Sequence, residues 1–358
     1  MGRAMDRRQF VLSGAALSAA VAMSPTLAAK TTARPLTFDA MGEVRFEYDA
    51  ALVGQMRDSG LDAITVTLCD PKTYEAHAYD DAIQAVLDHD AHIAANPALF
   101  LKATRTSDID VARRNGQIAI YYLFQNSTQF GRDLDNIDLF YKLGVRSSQI
   151  TYNDQNWAGA GCKELGANGL THWGRAVTER MNKLGMLIDL SHANMQTMAD
   201  TINASADPVI ISHTACMAMH KNVRNTTDDN LRLLAQKGGV VGICQMRPFL
   251  TTKRQGALAD YFRHIDHAVK VAGADHVAIG SDRDHRVVEM TDAYIAELKR
   301  EEGANFNADD WPLFIDELNG PRRMEVVWDG VRKLGYASSD VEKIMGTNVR
   351  RIYQDVVG

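Results

Sequence analysis

The stretch LIDLSH, residues Leu187–His192, is the most informative about the fold of this chain, because it is a short apolar run that ends in a histidine. A second run, VIISH at Val209–His213, ends in the same way one helix-length further along. This spacing fits one strand–helix unit, and neighbouring parallel strands place their carboxyl ends at the same rim of a sheet. The two stretches therefore predict two imidazoles side by side at one edge of a parallel sheet.

Similar apolar runs recur along the chain and predict eight strands, at Leu36–Asp39, Ala63–Leu68, Gln117–Phe124, Arg146–Thr151, Leu187–Leu190, Val209–Ser212, Gly239–Cys244 and His276–Ile279. They are continuous rather than alternating, which is typical of strands covered on both faces. Amphipathic segments with capping residues predict helices between and after them, including Trp173–Leu184, Asp228–Lys237, Arg323–Leu334 and Ser339–Tyr353.

This alternation predicts an α/β fold, specifically a (β/α)8 TIM-type barrel. A doubly wound open sheet is the alternative, but no GxGxxG motif follows any of the runs. Residues 151–169 are rich in Asn, Gly and Ala and predict a long loop over the barrel mouth. Residues 283–323 are interpreted as an irregular, charged insertion after the last strand.

Residues 1–29 have the pattern of a targeting segment rather than of a folded element. Arg7-Arg8 precedes an apolar run at Val11–Met23, and small residues follow at Thr26–Ala29. The run is too short for a bilayer, which needs about 20 apolar residues. We therefore expect a twin-arginine signal peptide and a periplasmic or exported protein, with an ordinary secretory signal or an N-terminal anchor as alternatives. Residues 30–358 are expected to form one barrel domain.

Composition excludes some partners. The net charge of −6 and the hydrophobic fraction of 46% indicate a packed globular protein and give no reason to expect a nucleic acid partner. The four cysteines lack CxxC spacing and are interpreted as buried thiols, although a Cys162–Cys216 disulfide is permitted in an oxidising compartment.

The chemistry is expected at the strand ends. His192 and His213 suit Zn²⁺ or a similar ion, since neutral imidazoles are common ligands of such metals. Asp282 ends the run Ile279–Asp282 after the last strand, and a carboxylate there can act as a general base toward a water molecule activated by a metal ion. Each residue alone is weak evidence, but three such residues in this order predict a metal or catalytic centre.

A resemblance to the membrane (renal) dipeptidase family, within the amidohydrolase superfamily, extends over most of the chain after the leader. It rests on a series of short sequence motifs that occur in the same order, namely LGVR at 143–146, GLT at 169–171, NKLGMLIDLSH at 182–192, VIISH at 209–213, Arg224-Asn225, Asp228-Asp229, GGVVG at 238–242, IGSD at 279–282 and IMGTN at 344–348.

The resemblance implies a metallohydrolase that binds two zinc ions and cleaves dipeptides, and it also implies a homodimer. It makes His192 and His213 ligands of one metal and Asp282 the proton-transfer aspartate. Arg224 matches the arginine that binds the substrate carboxylate, a task suited to its bidentate guanidinium group.

The chain departs from the family at four positions. Met41 and Glu43 stand where a His-x-Asp pair holds the other metal, and a thioether is a poor ligand for such an ion. Gln125 replaces the glutamate that bridges both metals, and Tyr152 replaces a histidine that acts on the substrate carbonyl. A tyrosine hydroxyl can donate a hydrogen bond there instead, so Tyr152 is expected to bind substrate and assist catalysis.

The sequence therefore predicts a dipeptidase-like metallohydrolase with one Zn²⁺ ion rather than two. His192 and His213 are the main ligands, and Gln125 and Glu43 are weaker candidates. Two alternatives remain open. One is a non-catalytic protein that binds a small peptide or amino-acid derivative through Arg224. The other acts on a different amide or lactone, with Glu43 and Asp282 as acid and base.

Overall fold

A computed structural model of the chain describes residues 34–74, 76–166, 168–302 and 307–358. The predicted targeting segment at 1–29 lies outside these residues. Residues Pro35–Gly358 form one compact unit. Within the described residues, the helices do not include one with the length and hydropathy needed to span a membrane.

The strands within the described residues are β1 (Phe38–Gly42), β2 (Ala63–Thr67), β3 (Phe100–Lys102), β4 (Ile118–Phe124), β5 (Val145–Gln149), β6 (Leu187–Asp189), β7 (Ile210–Thr214), β8 (Val240–Ile243) and β9 (Val277–Ile279). The α-helices are α1 (Ala50–Asp58), α2 (Ala76–Ala95), α3 (Ser107–Asn115), α4 (Asp135–Lys142), α5 (His172–Leu184), α6 (Met195–Ala204), α7 (Asp228–Gln236), α8 (Arg247–Leu250), α9 (Ala257–Ala272), α10 (Asp292–Glu302), α11 (Arg323–Lys333), α12 (Ser338–Glu342) and α13 (Asn348–Val356).

Eight of the strands form a parallel barrel in the order β1-β2-β4-β5-β6-β7-β8-β9. Backbone hydrogen bonds just beyond the strand ends join the last strand to the first, from Asp282 N to Met41 O at 2.9 Å and from Glu43 N to Arg283 O at 3.3 Å. The predicted (β/α)8 barrel is thus confirmed, with each of the eight expected runs contributing a strand. All four cysteines lie within the described residues and are thiols, so the alternative Cys162–Cys216 disulfide is absent.

Capping residues mark the ends of these helices. Thr171 caps α5 by accepting a hydrogen bond from Gly174 N, and Gly185 ends that helix in the left-handed region at φ 75°. Thr227 caps α7 by accepting from Asn230 N. These caps fix where each helix begins, and so they also fix the lengths of the loops at the barrel mouth.

Three expectations about the elements were wrong. Strand β3 was missed because it has only three residues and pairs only with the first half of β4. The insertion at 283–323 contains helix α10, so it is not wholly irregular. The helix predicted over Ser339–Tyr353 is interrupted by a π-helical turn at Lys343–Thr347, where a Cβ on Gly346 would lie 2.5 Å from Leu36 O. That close approach to the start of β1 distorts the helix locally.

Aromatic side chains fill the barrel around the start of β1. Tyr353 of α13 stacks on Phe38 at 5.4 Å between ring centroids, and Phe38 stacks on Tyr121 at 5.3 Å. The Tyr353 hydroxyl also lies 3.0 Å from Thr65 Oγ1 inside the barrel. Because this end is filled by packed rings, the opposite rim, where the strands end, is the one available to a ligand.

Candidate active site

The two strand-end histidines meet at the carboxyl rim. His192 follows β6 and His213 lies within β7, and both side chains are buried. Their Nε2 atoms are 3.0 Å apart, and the two rings meet edge to face at 5.0 Å between centroids. The structure therefore brings together the two residues that the sequence singles out as metal ligands.

Hydrogen bonds fix the protonation of the His213 ring. Ser212 Oγ lies 2.6 Å from Asp189 Oδ2 and donates its proton to that carboxylate. Ser212 Oγ also lies 2.8 Å from His213 Nδ1, so it accepts a hydrogen bond from Nδ1–H. The proton of a neutral His213 ring is thereby held on Nδ1, and Nε2 carries a lone pair.

Asn153 fixes His192 in the same way. Asn153 Oδ1 lies 2.7 Å from His192 Nδ1, and because it is an acceptor it requires Nδ1–H as donor. The Cys162 thiol donates to the same oxygen at 3.4 Å, which supports this orientation of the amide. His192 therefore also presents a lone pair at Nε2.

Neither imidazole is expected to take up a second proton. Burial holds the pKa of His213 well below its ordinary value, and the positive charge of Arg224 adds to this. Burial, Arg224, His213 and Lys163 do the same to the pKa of His192. Two lone pairs therefore face each other at 3.0 Å without a proton between them, an arrangement that is repulsive unless a cation lies between or beside them.

The paired Nε2 atoms of His192 and His213 are the metal donors that the described residues direct at a common point. Across the described ranges, no group of three or more His, Cys, Asp or Glu side chains is arranged to hold a metal. Glu43 is instead engaged by Arg45, whose Nε lies 2.8 Å from Glu43 Oε2. Gln125 is buried just beyond β4, and Met41 is a buried thioether in β1. Among the described residues, no hydrogen bond joins Glu43 or Gln125 to either histidine, and their role as weaker ligands stays a prediction.

Arg224 is a buried cation beside the histidines. Its Nη2 donates to the backbone oxygen of His213 at 3.4 Å, and its guanidinium group lies over the Phe249 ring at 5.3 Å. Two further nitrogens, Nε and Nη1, are buried without a hydrogen-bond partner in the described part of the chain. A buried guanidinium group with unsatisfied donors is well suited to bind a carboxylate through two hydrogen bonds.

Asp282 is a half-buried residue at the same rim. Desolvation raises the pKa of its carboxyl group to about 7. The positive charges of Arg224 and Arg283 act against this rise, and the negative charges of Glu43 and Asp39 add to it. A carboxyl group with a pKa near neutrality exchanges protons readily at physiological pH, which is the property required of a general base.

Tyr152 lies against the histidine pair. Its ring stacks on His192 at 4.1 Å between centroids and an interplanar angle of 24°. Burial and the charge of Asp282 raise the pKa of its phenol, with a counteracting contribution from Arg224, so the hydroxyl stays protonated. Tyr152 therefore keeps its hydroxyl proton beside His192, and its role as a hydrogen-bond donor to the substrate stays a prediction.

The backbone conformation marks two of these residues independently. Within the described residues, His192 at φ 68° and Asp282 at φ 54° are the non-glycine residues in the left-handed region. This region is unfavourable for residues with a Cβ, and such strain is often retained at functional sites. Both of them stand at the barrel rim, one after β6 and one after β9.

Sequence reasoning missed the residues that orient the histidines. Asp189, Ser191 and Ser212 form a buried network in which Asp189 Oδ1 accepts from Ser191 N at 3.0 Å and from Ser212 N at 2.9 Å. The signal was present, because these three residues lie within the same strand-end phrases as the two histidines. Asn153 gave no such signal, since only the folded loop brings it to His192.

We predict that Asn153→Ala weakens metal binding by about 10- to 100-fold, the usual effect of losing a residue that orients a ligand. Without the acceptor, His192 can rotate or place its proton on Nε2. The measurement is titration of the metal-free protein with Co²⁺, followed by visible absorption. Asn153→Asp keeps an acceptor and should restore binding, and the exposed Asn115→Ala is the matched control. Wild-type Co²⁺ affinity in Asn153→Ala would contradict this role.

The fold and the site define a (β/α)8 barrel hydrolase of the amidohydrolase type. The chain matches the membrane dipeptidase family, peptidase family M19, over residues 25–295. It is 36% identical over 178 residues to an uncharacterized dipeptidase of Schizosaccharomyces pombe, an alignment that covers 48% of this chain and 43% of that relative. The chain thus spans less than half the length of this curated relative.

Two solved structures extend the comparison. An amidohydrolase from Pseudomonas aeruginosa is 27% identical, with a TM-score of 0.78, and the match covers 90% of this chain and 97% of that one. A metallopeptidase from Rhodobacter sphaeroides, liganded with a phosphinate mimic of the dipeptide L-Ala-D-Ala, has a TM-score of 0.76 at 18% identity, covering 90% of this chain and 100% of that one. The second likeness shows the fold alone.

The chain belongs to the membrane dipeptidase family. The resemblance predicted from the strand-end phrases is therefore confirmed, and so is the prediction of a hydrolase. The family is one of metallopeptidases.

Proposed function

We propose that this protein is a metal-dependent dipeptidase that works with one divalent ion, most simply Zn²⁺, held by His192 and His213. The observation that carries the proposal is the pair of unprotonated Nε2 atoms 3.0 Å apart. The phosphinate dipeptide mimic bound by the R. sphaeroides metallopeptidase supports a dipeptide as the class of substrate. A two-ion centre is not proposed, because Met41 is a poor ligand and Glu43 is paired with Arg45.

Each site residue then has a distinct task. Arg224 binds the carboxylate of the dipeptide through the unsatisfied donors of its guanidinium group. Asp282 takes a proton from the attacking water and passes it to the leaving amine. Tyr152 donates a hydrogen bond to the oxygen of the scissile carbonyl, where negative charge develops. When bound, the ion supplies Lewis acidity, which polarises a carbonyl and lowers the pKa of water.

The two alternatives predicted from the sequence have less support. Glu43 acts on the pKa of Asp282, but it is partly exposed and its carboxylate is paired with Arg45, which favours a role in this ion pair over a role as acid or base. A non-catalytic binding protein would use Arg224 but would not need the pKa of Asp282 to be raised to about 7. Binding without turnover is therefore treated as an outcome of the test.

The test is hydrolysis of L-Ala-L-Ala and L-Ala-D-Ala by the purified protein, alongside elemental analysis of its metal content. We expect one equivalent of metal and turnover of at least one of the two dipeptides. Amidation of the substrate carboxylate should reduce kcat/KM by about 100-fold, the effect of losing a buried charged hydrogen bond. Arg224→Lys should show a similar loss on the free acid but little further loss on the amide. Stoichiometric metal without any turnover would instead favour a binding protein.

We also propose that residues 1–29 direct export by the twin-arginine route, which is supported by Arg7-Arg8 and the apolar run that follows them. The mature protein would then act in the periplasm on small peptides. A homodimer is proposed from the family resemblance alone. Replacing Arg7-Arg8 with two lysines should retain the protein inside the cell, and cell fractionation measures this.

A further inference from the structure

A cavity of about 430 Å³ opens in the described part of the barrel mouth, outside the histidine pair. It is lined by Tyr74, Thr128, Gln155, Asn156 and Trp157. These residues come from the loops that follow β2, β4 and β5, so the cavity lies on the same rim as His192 and His213. Its volume is within the range of about 300–1,000 Å³ that is typical of small-molecule sites.

The walls of the cavity are held in place before any ligand binds. Asn156 Nδ2 donates to Asn126 Oδ1 and to Ile150 O, each at 2.8 Å, which fixes the loop after β5 to the loop after β4. Thr128 Oγ1 donates to Thr73 O at 3.2 Å, which fixes the residue next to Tyr74. A preformed cavity binds its ligand without the loss of conformational entropy that ordering its loops would require.

The cavity is joined to the reacting centre by a short piece of chain. Tyr152 stacks on His192, and Gln155 in the cavity wall is only three residues further along. Three residues span at most about 10 Å even when fully extended. The Cα atoms of Tyr152 and Gln155 are therefore no more than about 10 Å apart, and the cavity wall begins within that span of the residue that stacks on His192.

The order of the strands places the cavity opposite Arg224. Around the barrel, β4 and β8 stand on opposite sides, with β5, β6 and β7 between them. The cavity loops follow β2, β4 and β5, whereas Arg224 lies between β7 and β8, and His192 follows β6 between the two. A peptide whose carboxylate is bound by Arg224 and whose scissile carbonyl faces the histidines must extend its amino-terminal residue toward the cavity.

We propose that this cavity binds the side chain of the amino-terminal residue of the substrate and selects aromatic or large aliphatic side chains, with Trp157 as the main specificity-determining residue. Trp157 is 40% exposed, with the Arg132 guanidinium group 5.6 Å from the centre of its ring, so an apolar partner on the exposed part would remove apolar surface from water. The ring of Tyr74 provides a second aromatic wall, and aromatic pairs gain further from their preferred stacking geometries. This inference rests on the proposed dipeptidase function.

The experiment compares Phe-Gly, Leu-Gly and Gly-Gly as substrates for the wild type, Trp157→Ala, Trp157→Phe and Leu165→Ala. Leu165 lies on the same loop and is fully exposed, so its variant is the matched control. We expect the wild type to favour Phe-Gly, and Trp157→Ala to lose about tenfold or more of kcat/KM on Phe-Gly with little change on Gly-Gly. Trp157→Phe should retain most of the preference. Equal losses on all three substrates, or none, would overturn the proposal.

A second measurement separates this proposal from the proposed function. Isothermal titration with L-phenylalaninamide and glycinamide measures binding at the cavity without hydrolysis. If no dipeptide is hydrolysed but L-phenylalaninamide binds the wild type and not Trp157→Ala, the dipeptidase function fails while the cavity assignment stands. If dipeptides are hydrolysed with a selectivity that Trp157→Ala leaves unchanged, the cavity assignment fails while the function stands. Absence of both turnover and Trp157-dependent binding would overturn both.

Discussion

Replacing His213 with alanine is expected to abolish stoichiometric metal binding and, with it, peptide hydrolysis. The reason lies in the number of ligands, because in the part of the chain that the structure describes only His192 and His213 present their Nε2 atoms to a common point, 3.0 Å apart. Removing one leaves a single imidazole, which is too little to hold a divalent ion against water. The loss should exceed the about 10- to 100-fold that follows from losing a residue that merely orients a ligand.

The measurement is elemental analysis of the purified variant together with kcat/KM on the best dipeptide substrate. His276→Ala is the matched control, because His276 precedes β9 at the far end of the barrel and its Nδ1 is bonded to Gly239 O at 2.8 Å. Thermal unfolding of the metal-free proteins separates loss of the ligand from loss of the fold. If His213→Ala kept one equivalent of metal and wild-type turnover, the ion would have to be held elsewhere.

The sequence predicts the barrel and the position of its rim because both depend on local patterns. The eight apolar runs, the threonine caps and the histidines at the strand ends are each readable within a few residues. Strand β3 escapes such a reading because its three residues gain their structure only by pairing with β4. The same holds for the π-helical turn near Gly346, which is caused by packing against β1.

The residue types of the site can be predicted from the sequence, but the hydrogen bonds and backbone conformations that orient them cannot. Asn153 lies in a loop without a motif, yet its Oδ1 sets the tautomer of His192 from the next strand. The left-handed backbone conformation at His192 and Asp282 likewise cannot be predicted from the sequence, because neither residue type requires it. These features arise from contacts between loops that are distant in sequence, and they decide which of the candidate residues actually meet.

Replacing Asp282 with asparagine is expected to reduce turnover by about 10²- to 10⁴-fold, the usual contribution of a general base. Desolvation of this half-buried residue raises its pKa to about 7, and Arg224, Glu43, Arg283 and Asp39 are the charged groups that also act on it. Only the ionised form accepts a proton, so wild-type kcat/KM should rise as the pH increases through the pKa of Asp282 in the metal-loaded enzyme, which a bound cation lowers relative to the metal-free protein. That rising limb should be missing from the residual activity of the variant. A limb that persisted would assign the proton transfer to another group.

The same substitution should stabilise the metal-free protein at high pH. A carboxyl group whose pKa is raised on folding from 3.8 to about 7 favours the folded state most when it is protonated. The free energy of unfolding of the wild type should therefore fall as the pH rises from about 4 through about 7, relative to Asp282→Asn, by an amount on the order of a few kcal/mol. Urea denaturation across this pH range, in the presence of a chelator, measures the difference. If the free energy of unfolding varied with pH in the same way in both proteins, folding would not raise the pKa of Asp282. That result would contradict the reason for assigning Asp282 as the general base.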